Sequence, residues 1–481
     1  MQSIFGAIDI GASSGRVIAG SLNAGKISLE EVHRFPNRAV DSNGALVWDF
    51  NNIMAEVRTG LSKLVDHANE VDGKVVSLGV DTWAVDYGLV KNGELLAQPN
   101  CYRDPINQIG VEDVHGRVSF AELYSIAGLQ FLPFNSVYQL ARQSKFNPEQ
   151  LAAATDIMLI PDLIGFFLTG NKATEKTNAS STGMLDARTN TWSEEIVAKA
   201  GVADVVLKFP KLGSAGDVLG QVLPEFGDGL RSTRVVLVGS HDTASAVVGV
   251  PATSDDFAYI SSGTWSLLGT ELPAPILTEA SRSANFTNEL GVQGRVRYLK
   301  NLSGLWLLTE CLRDWKVDAN AGAFEALLSE ASSIRPEALL DLSDETLIAP
   351  GNMPEKINRQ LERSNQRQLQ QKQEYVAVIL HSLAKSYAEN LCLLEQLTAK
   401  KFDALHVVGG GSQNALLSQL TANYCRRAVL AGPVEATAIG NIVVQMQTAG
   451  LIPEKLNQAR AAIANSNFHL TTYQPEGKNH G

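Results

Sequence analysis

His241 and Asp242 stand at the end of the apolar run RVVLVGS (234–240) and are followed at once by the small, apolar stretch TASAVVG. Ionisable side chains are costly to bury without partners. A pair placed there either closes a turn or works in a cleft, where an aspartate held at a strand end is set as a general base must be. Asp9 holds the same place at the end of the first apolar run, IFGAIDIG (4–11), facing a glycine turn. It reads as a turn cap, or as a carboxylate that holds a phosphate-bound Mg2+ through water, because hard cations take oxygen ligands. The stretch DTWAVDYG sets Asp81 and Asp86 beside Trp83 and Tyr87. Aromatic faces and carboxylates suit a carbohydrate, and strand-end polar groups beside core aromatics account for the same residues equally well.

Glycine turns at strand ends are the second chemical feature, because a backbone without Cβ lets a phosphate approach amide N–H groups. Three are present: DIGASSGR (9–16), SSGTW (261–265) and VVGGGSQN (407–414). The first adds the Ser13 and Ser14 hydroxyls and the Arg16 cation, all donors to phosphate oxygens. The third ends a strand and starts a helix, a place where anions settle. Each alone is ordinary structural punctuation. None fits GxxxxGK[ST] or a GxGxxG with its acidic partner, which excludes a Walker loop and disfavours a dinucleotide dehydrogenase. Three such turns spread over both halves of the chain point to one nucleotide gripped between two domains.

The elements that must position these residues alternate strand and helix. IFGAIDIG runs into RVIAGSL (16–22) as a returning strand, and a helical segment near 51–69 precedes the strand KVVSLGVD (74–81). Helical periodicity follows, with Ser119 and Asn147 as caps. DIMLIPDLIGFFLTG (156–170) reads as a buried helix, too short and too interrupted for a membrane span of about 20 apolar residues. The second half restarts with FAYISSGTWSLLGTEL (257–272), then a long helix near 374–400, a strand at 404–411 and a helix from about 412 to 425. The hairpin at 5–22 and the hairpin at 257–274 share one pattern, apolar strand, Gly with Ser or Thr, second strand, so a duplicated α/β domain is expected. SAVVGVPATSDD (245–256) reads as the crossing between the halves.

The 481-residue chain is too long for one ordinary core, and 44% hydrophobic with 19% charged residues is a globular composition. A net charge of −11 without a basic block argues against a nucleic-acid partner. The opening MQSIFGAIDIG has no basic leader, so a cytoplasmic protein is expected. Cys101, Cys311, Cys392 and Cys425 stand far apart, without metal-ligand spacing.

DIGASSGR, DTWAVDYG, FLPFNSVYQL, GSHDTASAV, YISSGTWSL, LKNLSGLWLL and VVGGGSQN…AGPVEATAIGN occur in this order from residue 9 to 441. Together they resemble the FGGY carbohydrate kinases over nearly the whole chain. The resemblance implies an α/β fold of two ribonuclease-H-like (actin-like ATPase) domains facing each other across a catalytic cleft, residues 1–248 and 249–481. The first would bind the sugar and carry the first phosphate turn and the base; the second would carry the other phosphate turn and the adenosine site. It implies transfer of the ATP γ-phosphoryl group to the 1-hydroxyl of a ketose, L-rhamnulose foremost, with ADP as co-product and Mg2+ as cofactor. A kinase of fuculose or xylulose, or an actin-like ATPase that phosphorylates nothing, is the alternative. The partners implied are the ketose and ATP, without nucleic acid or membrane, in a monomer or homodimer.

Carried over by motif, Asp242 is the catalytic base, and Trp83, Ala84, His241, Asp242, Thr243 and Asn301 contact the sugar. Ala12, Ser13, Ser14, Gly15 and Arg16 form the first phosphate turn, Thr264 reaches the ATP phosphates, and Gly410, Gly411 and Asn414 border the nucleoside. Asp9 is the metal residue. The chain departs from the expected pattern at Ala84, where the family motif has glycine, and at Thr309, where glutamine would reach further towards ATP.

Overall fold

The computed structural model describes residues 1–318 and 322–476. They form two compact units, one of Met1–Asp255, Glu271–Tyr298 and Ala436–Phe468, the other of Asp256–Thr270, Leu299–Glu435 and His469–Gly481. Each unit is assembled from separate segments, because late helices return to complete the first core.

The first unit is built on β1 (Gln2–Ile10), β2 (Ser14–Asn23), β3 (Lys26–Pro36), β4 (Gly73–Thr82), β5 (Val218–Gln221) and β6 (Arg234–Val236), in the spatial order β5-β6-β4-β1-β2-β3. The β1–β2 hairpin is antiparallel and sets Asp9 opposite Arg16; β1 runs parallel to β4 and sets Asp9 opposite Asp81. Side chains alternate across β1 with the period of two that a strand dictates. Ile4, Ile8 and Ile10 enter one core with Phe50, Ile53, Val57, Leu61 and Leu64 of α1 (Phe50–Glu70). Phe5 and Ala7 enter the opposite core. A sheet buried on both faces needs near-continuous apolar strands, as β1 supplies. Asp49 caps α1 by accepting from the Asn52 N–H at 3.0 Å.

The segment 156–170 departs from a single buried helix. Asp156–Leu159 is a strand and only Ile160–Thr169, here α2, is helical, with Pro161 in its first turn and Gly170 in the left-handed conformation ending it. Proline is welcome where the amide would lack a partner anyway, so the helix starts there and the preceding apolar residues pair as a strand. The extended run after β6 carries on past Val236: the Thr82 N–H donates to the Ser240 carbonyl at 2.9 Å, and His241 bridges to Thr82. His241 then caps α3 (Asp242–Val248). This helix packs on α4 (Ala436–Thr448), which supplies Ile439, Ile442 and Val443 to the second core. Their approach is backbone to backbone: a Cβ on Gly249 would lie 2.1 Å from the Ala436 carbonyl oxygen, and one on Gly440 would lie 1.8 Å from that of Ser245.

The second unit carries most of another sheet, with β7 (Ala258–Ser262), β8 (Trp265–Leu272), β9 (Val296–Ser303, of which Val296–Tyr298 belong to the first unit), β10 (Ala404–Val408), β11 (Ala428–Ala431) and β12 (Thr471–Tyr473). Six strands of its sheet run in the order β9-β8-β7-β10-β11-β12. The hairpin β7–β8 is antiparallel, β7–β10 and β10–β11 are parallel, and β11–β12 is antiparallel. The first unit has the same order and the same directions from β1 through β4 and β6 to β5. The hairpin similarity seen in sequence is therefore the visible part of a whole duplicated sheet. The long helix expected near 374–400 spans Lys372–Thr398, and the helix expected from 412 begins at Ala415 after a short 3-10 turn, Gly410–Gln413.

Candidate active site

In the first unit, parallel neighbours β1, β4 and the extension of β6 end side by side, so their terminal residues Asp9, Asp81 and Asp242 converge. Asp242 opens α3 with its side chain 32% exposed, and the Thr243 hydroxyl donates to its Oδ1 at 3.0 Å. Burial and the nearby Asp9 carboxylate raise its pKa above the ordinary range, against a lowering by His241. Asp242 is thus a partly buried group with a stronger hold on its proton than an exposed aspartate has. That moves it towards the acidity a general base needs near neutrality.

Asp81 is fully buried, and its pKa is raised well above normal by burial, then by Asp9 and, more weakly, by Asp242. Its Oδ2 accepts from Asn441 Nδ2 of α4 at 2.5 Å, while its Oδ1 has no hydrogen-bond partner. Behind Asn441, Gln445 donates to the Asn441 side-chain oxygen at 2.7 Å and to the Gly6 carbonyl at 2.9 Å. The Ser77 hydroxyl donates to Gln445 Oε1 at 2.7 Å. This polar line crosses the sheet surface and fixes the one satisfied oxygen of Asp81.

Arg16 closes on Asp9, with Nη2 2.5 Å from Oδ2. The guanidinium expected to meet a phosphate is therefore engaged with the carboxylate opposite it in the hairpin. The turn itself is tight: the Gly11 N–H donates to Ser14 O at 2.9 Å, and Asn37 Nδ2 donates to Gly11 O at 2.8 Å. Ser13 is exposed, while Ala12 and Ser14 are half-buried. Gly15 has a packing reason of its own, since a Cβ there would lie 2.1 Å from Cζ of Phe35.

His241 lies in a buried charged group that sequence reading did not anticipate. Its Nδ1 is 3.0 Å from Arg297 Nη2 and 3.2 Å from Glu289 Oε2, and its Nε2 is 3.5 Å from Asp242 Oδ1. Arg297 is fully buried and pairs with Glu289 at 3.0 Å. Burial would raise the Glu289 pKa, yet the Arg297 guanidinium beside it outweighs that and holds the carboxyl down to about 2. From the other side, Glu175 Oε2 accepts from the Ser240 N–H at 3.1 Å, the Ser240 hydroxyl at 2.8 Å and the Thr177 hydroxyl at 2.5 Å. The His241 N–H donates to Thr177 Oγ1 at 3.3 Å. The backbone leading into the candidate base is thus clamped by a buried carboxylate 65 residues away in sequence.

The DTWAVDYG stretch divides. Asp86 is a saturated structural hub, accepting from Trp48 Nε1 at 2.6 Å, Trp83 Nε1 at 3.0 Å, the Tyr102 N–H at 3.1 Å and Gln139 Nε2 at 2.9 Å. Burial nonetheless raises its pKa to about 6. Tyr87 donates to Gln143 at 2.6 Å and is buried. For these two the core reading holds and the sugar reading is withdrawn. Trp83 is buried against Trp48, with ring centroids 4.3 Å apart. Ala84 is half-buried, and Val85 beside it has φ +70°. A β-branched residue in that region costs about 1–3 kcal/mol. The Ser136 hydroxyl, donating to the Val85 carbonyl at 2.5 Å, helps to hold it there.

In the second unit, Thr264 sits in the β7–β8 turn next to the start of the helix Trp306–Asp314. The Leu305 N–H donates to Gly263 O at 3.0 Å and the Trp306 N–H to Thr264 O at 3.2 Å. Gly304 permits this approach, since its Cβ would lie 2.6 Å from Thr264 O. Thr309 is exposed one turn into that helix, and Asn301 is half-buried on β9. The third glycine turn follows β10, whose Val408 is in register with Ser261 of β7. A Cβ on Gly411 would lie 2.0 Å from Ser262 Oγ, whereas Gly410 is exposed with open space around it. Asn414 caps the helix Ala415–Cys425 by accepting from the Leu417 N–H at 2.9 Å. Thr264 and Gly411 therefore lie at the same end of the β7 strand, with Gly410 next to Gly411 in the chain and Thr309 one turn into the helix that starts beside Thr264.

Among the described residues, no three His, Cys, Asp or Glu side chains form a ready-made metal cage, and no helix is long and apolar enough to cross a membrane. The four cysteines are free thiols.

Residues 4–249 match the FGGY family of carbohydrate kinases, N-terminal domain, and residues 258–449 match the C-terminal domain of that family. The chain is 39% identical over 475 residues to "Rhamnulokinase" of Oceanobacillus iheyensis, covering 98% of each protein. It is 38% identical to "Rhamnulokinase" of Bacteroides thetaiotaomicron, covering 99% of this chain and 96% of that one. Among solved structures, gluconate kinase from Lactobacillus acidophilus shares the fold with a TM-score of 0.79 at 17% identity, over 99% of this chain and 94% of that one. Glycerol kinase from Plasmodium falciparum with ADP gives 0.76 at 15% identity, over 99% and 94%. Two duplicated sheets, an ordered series of glycine turns and full-length similarity agree: the chain belongs to the FGGY family of carbohydrate kinases.

Proposed function

We propose that this enzyme transfers the γ-phosphoryl group of ATP to the 1-hydroxyl of L-rhamnulose, giving L-rhamnulose 1-phosphate and ADP in the cytoplasm. The reading rests above all on Asp242, a partly exposed carboxylate at the head of α3, backed by two buried carboxylates and clamped from behind. Full-length similarity to rhamnulokinases supports the choice of ketose.

Phosphoryl transfer asks the protein mainly for positioning and charge stabilisation. Asp242 accepts the proton of the primary hydroxyl as that oxygen attacks phosphorus, and its raised pKa lets it hold the proton once received. His241, Thr243, Trp83, Ala84 and Asn301 are the candidate sugar contacts. With the Trp83 indole N–H already given to Asp86, its contribution is the ring surface. Ala12 to Arg16, Thr264, Thr309, Gly410, Gly411 and Asn414 are the candidate nucleotide contacts. Among these Gly410 offers open backbone, and Asn414 acts by setting the helix cap.

The residues present also fit a hard divalent cation. The unpartnered Asp81 Oδ1, close to the Asp9 and Asp242 carboxyls, gathers oxygen donors in one place, the kind of ligand Mg2+ takes when phosphates and waters complete its shell. Asp9 would hold it, with Asp81 behind, and the ion when bound neutralises phosphate charge.

A coupled ADP-release assay over L-rhamnulose, L-fuculose and D-xylulose, with and without Mg2+, tests the proposal. Highest kcat/KM for L-rhamnulose is expected. Equal ADP release without any ketose would instead favour an ATPase, and preference for another ketose would reassign the substrate.

A further inference from the structure

The two neighbours of His241 Nδ1 make opposite demands on it. Arg297 Nη2, at 3.0 Å, is a donor under all conditions, because the guanidinium has no acceptor and keeps its protons. Glu289 Oε2, at 3.2 Å, is an acceptor. A proton on Nδ1 would point an N–H at the arginine N–H; a lone pair there receives it. The Arg297 contact is the shorter and has hydrogen-bond alignment, whereas Glu289 Oε2 makes no aligned hydrogen bond. Glu289 serves instead as the counter-charge, 3.0 Å from Arg297 Nη2, that lets a guanidinium be fully buried. Arg297 is also anchored independently, with Nε donating to the Leu290 carbonyl at 3.1 Å.

We infer that Arg297, balanced by Glu289, fixes His241 as the Nε2–H tautomer, so that its ring is a hydrogen-bond donor beside Asp242, directed at an oxygen of the ketose. The inference rests on the kinase reading given above. The nearest protein acceptor for Nε2, Asp242 Oδ1, stands at 3.5 Å, beyond good hydrogen-bond reach. The Nε2–H is thereby left for a ligand oxygen, and the carboxylate is left for a hydroxyl proton. Donor and acceptor side by side match a polyol with a carbonyl, which presents both kinds of group. Arg297 and Glu289 touch His241 and not the reacting atoms, so they are positioning residues. The clamp from Glu175 and Thr177 fixes the His241 backbone independently, so changes at 289 and 297 act on the ring.

The test uses the full chain labelled with 15N-histidine at neutral pH, the His241 signals being assigned by their loss in His241→Gln. The wild type is expected to show a protonated Nε2 and an unprotonated Nδ1. The double variant Arg297→Met/Glu289→Gln removes both charges together and leaves no buried ion alone. It is expected to lose the fixed tautomer and to raise the ketose KM about tenfold, with the ATP KM unchanged; about tenfold corresponds to ~1.4 kcal/mol of binding. Arg297→Lys, which keeps a donor, is expected to restore part of the ketose affinity. A wild type protonated at Nδ1, or a double variant with unchanged ketose KM, overturns the inference. The spectrum needs no substrate, so a wild type without ketose-dependent ADP release would overturn the kinase reading and leave the tautomer assignment to be judged separately.

Discussion

Asp81 shows what it costs to keep carboxylates close together under cover. Its carboxyl is buried with one oxygen unpartnered, and its pKa is raised first by burial and then by Asp9. A carboxyl whose folded pKa lies above its unfolded value of 3.8 destabilises the fold increasingly as pH climbs past that value. Asp81→Asn should therefore leave the Tm unchanged below pH 3.8 and raise it by a few degrees at neutral pH, measured by calorimetry, while activity falls. Glu289 has the opposite sign. Its folded pKa of about 2 lies below the ordinary 4.5, so its contribution is present above 4.5 and is lost as pH drops through 2. The stability deficit of Glu289→Gln, followed by thermal melts against pH, should shrink across that window. Asp9 and Asp242 were legible in sequence because charge at the end of an apolar run is conspicuous. Glu175, Glu289 and Arg297 were not, because what makes them matter is burial against partners dozens of residues away; a charged residue inside the strand VRYLKN was the only hint of Arg297.

At the level of elements, the site depends on α3 and α4 meeting through two glycines. Ala at 440 would bring Cβ to 1.8 Å from a carbonyl oxygen, and the next residue, Asn441, holds Asp81. Gly440→Ala should destabilise the protein by about 1–3 kcal/mol in urea titration, the usual toll of overpacking, and lower activity with it. An unchanged midpoint would show that the helices can part without harm. The hairpins were readable from their apolar runs and glycine turns, and α1 from its period. The strand at Asp156–Leu159 was not, since a short apolar run looks alike in a strand and a helix. Nor did the glycines at 249 and 440 announce their purpose, which appears only when two distant helices touch.

Across the whole molecule, duplication divides the labour. The carboxylates and the His241 group belong to the first unit, whereas the turns at Thr264 and Gly410 belong to the second. Thr264→Ala should accordingly raise the KM for ATP on the order of tenfold, ~1.4 kcal/mol, and leave the ketose KM in place; steady-state kinetics varying each substrate would separate the two. The repeated strand order was visible in sequence only through its first hairpin, because the parallel strands that complete each sheet lie far along the chain. The measurement that bears hardest on the assignment of Asp242 is ADP release by Asp242→Asn with L-rhamnulose, alongside calorimetric binding of the same ketose. Loss of kcat by about 10²–10⁴-fold, the range general-base catalysis supplies, with ketose binding retained, is the expected result. Turnover near that of the wild type would contradict it.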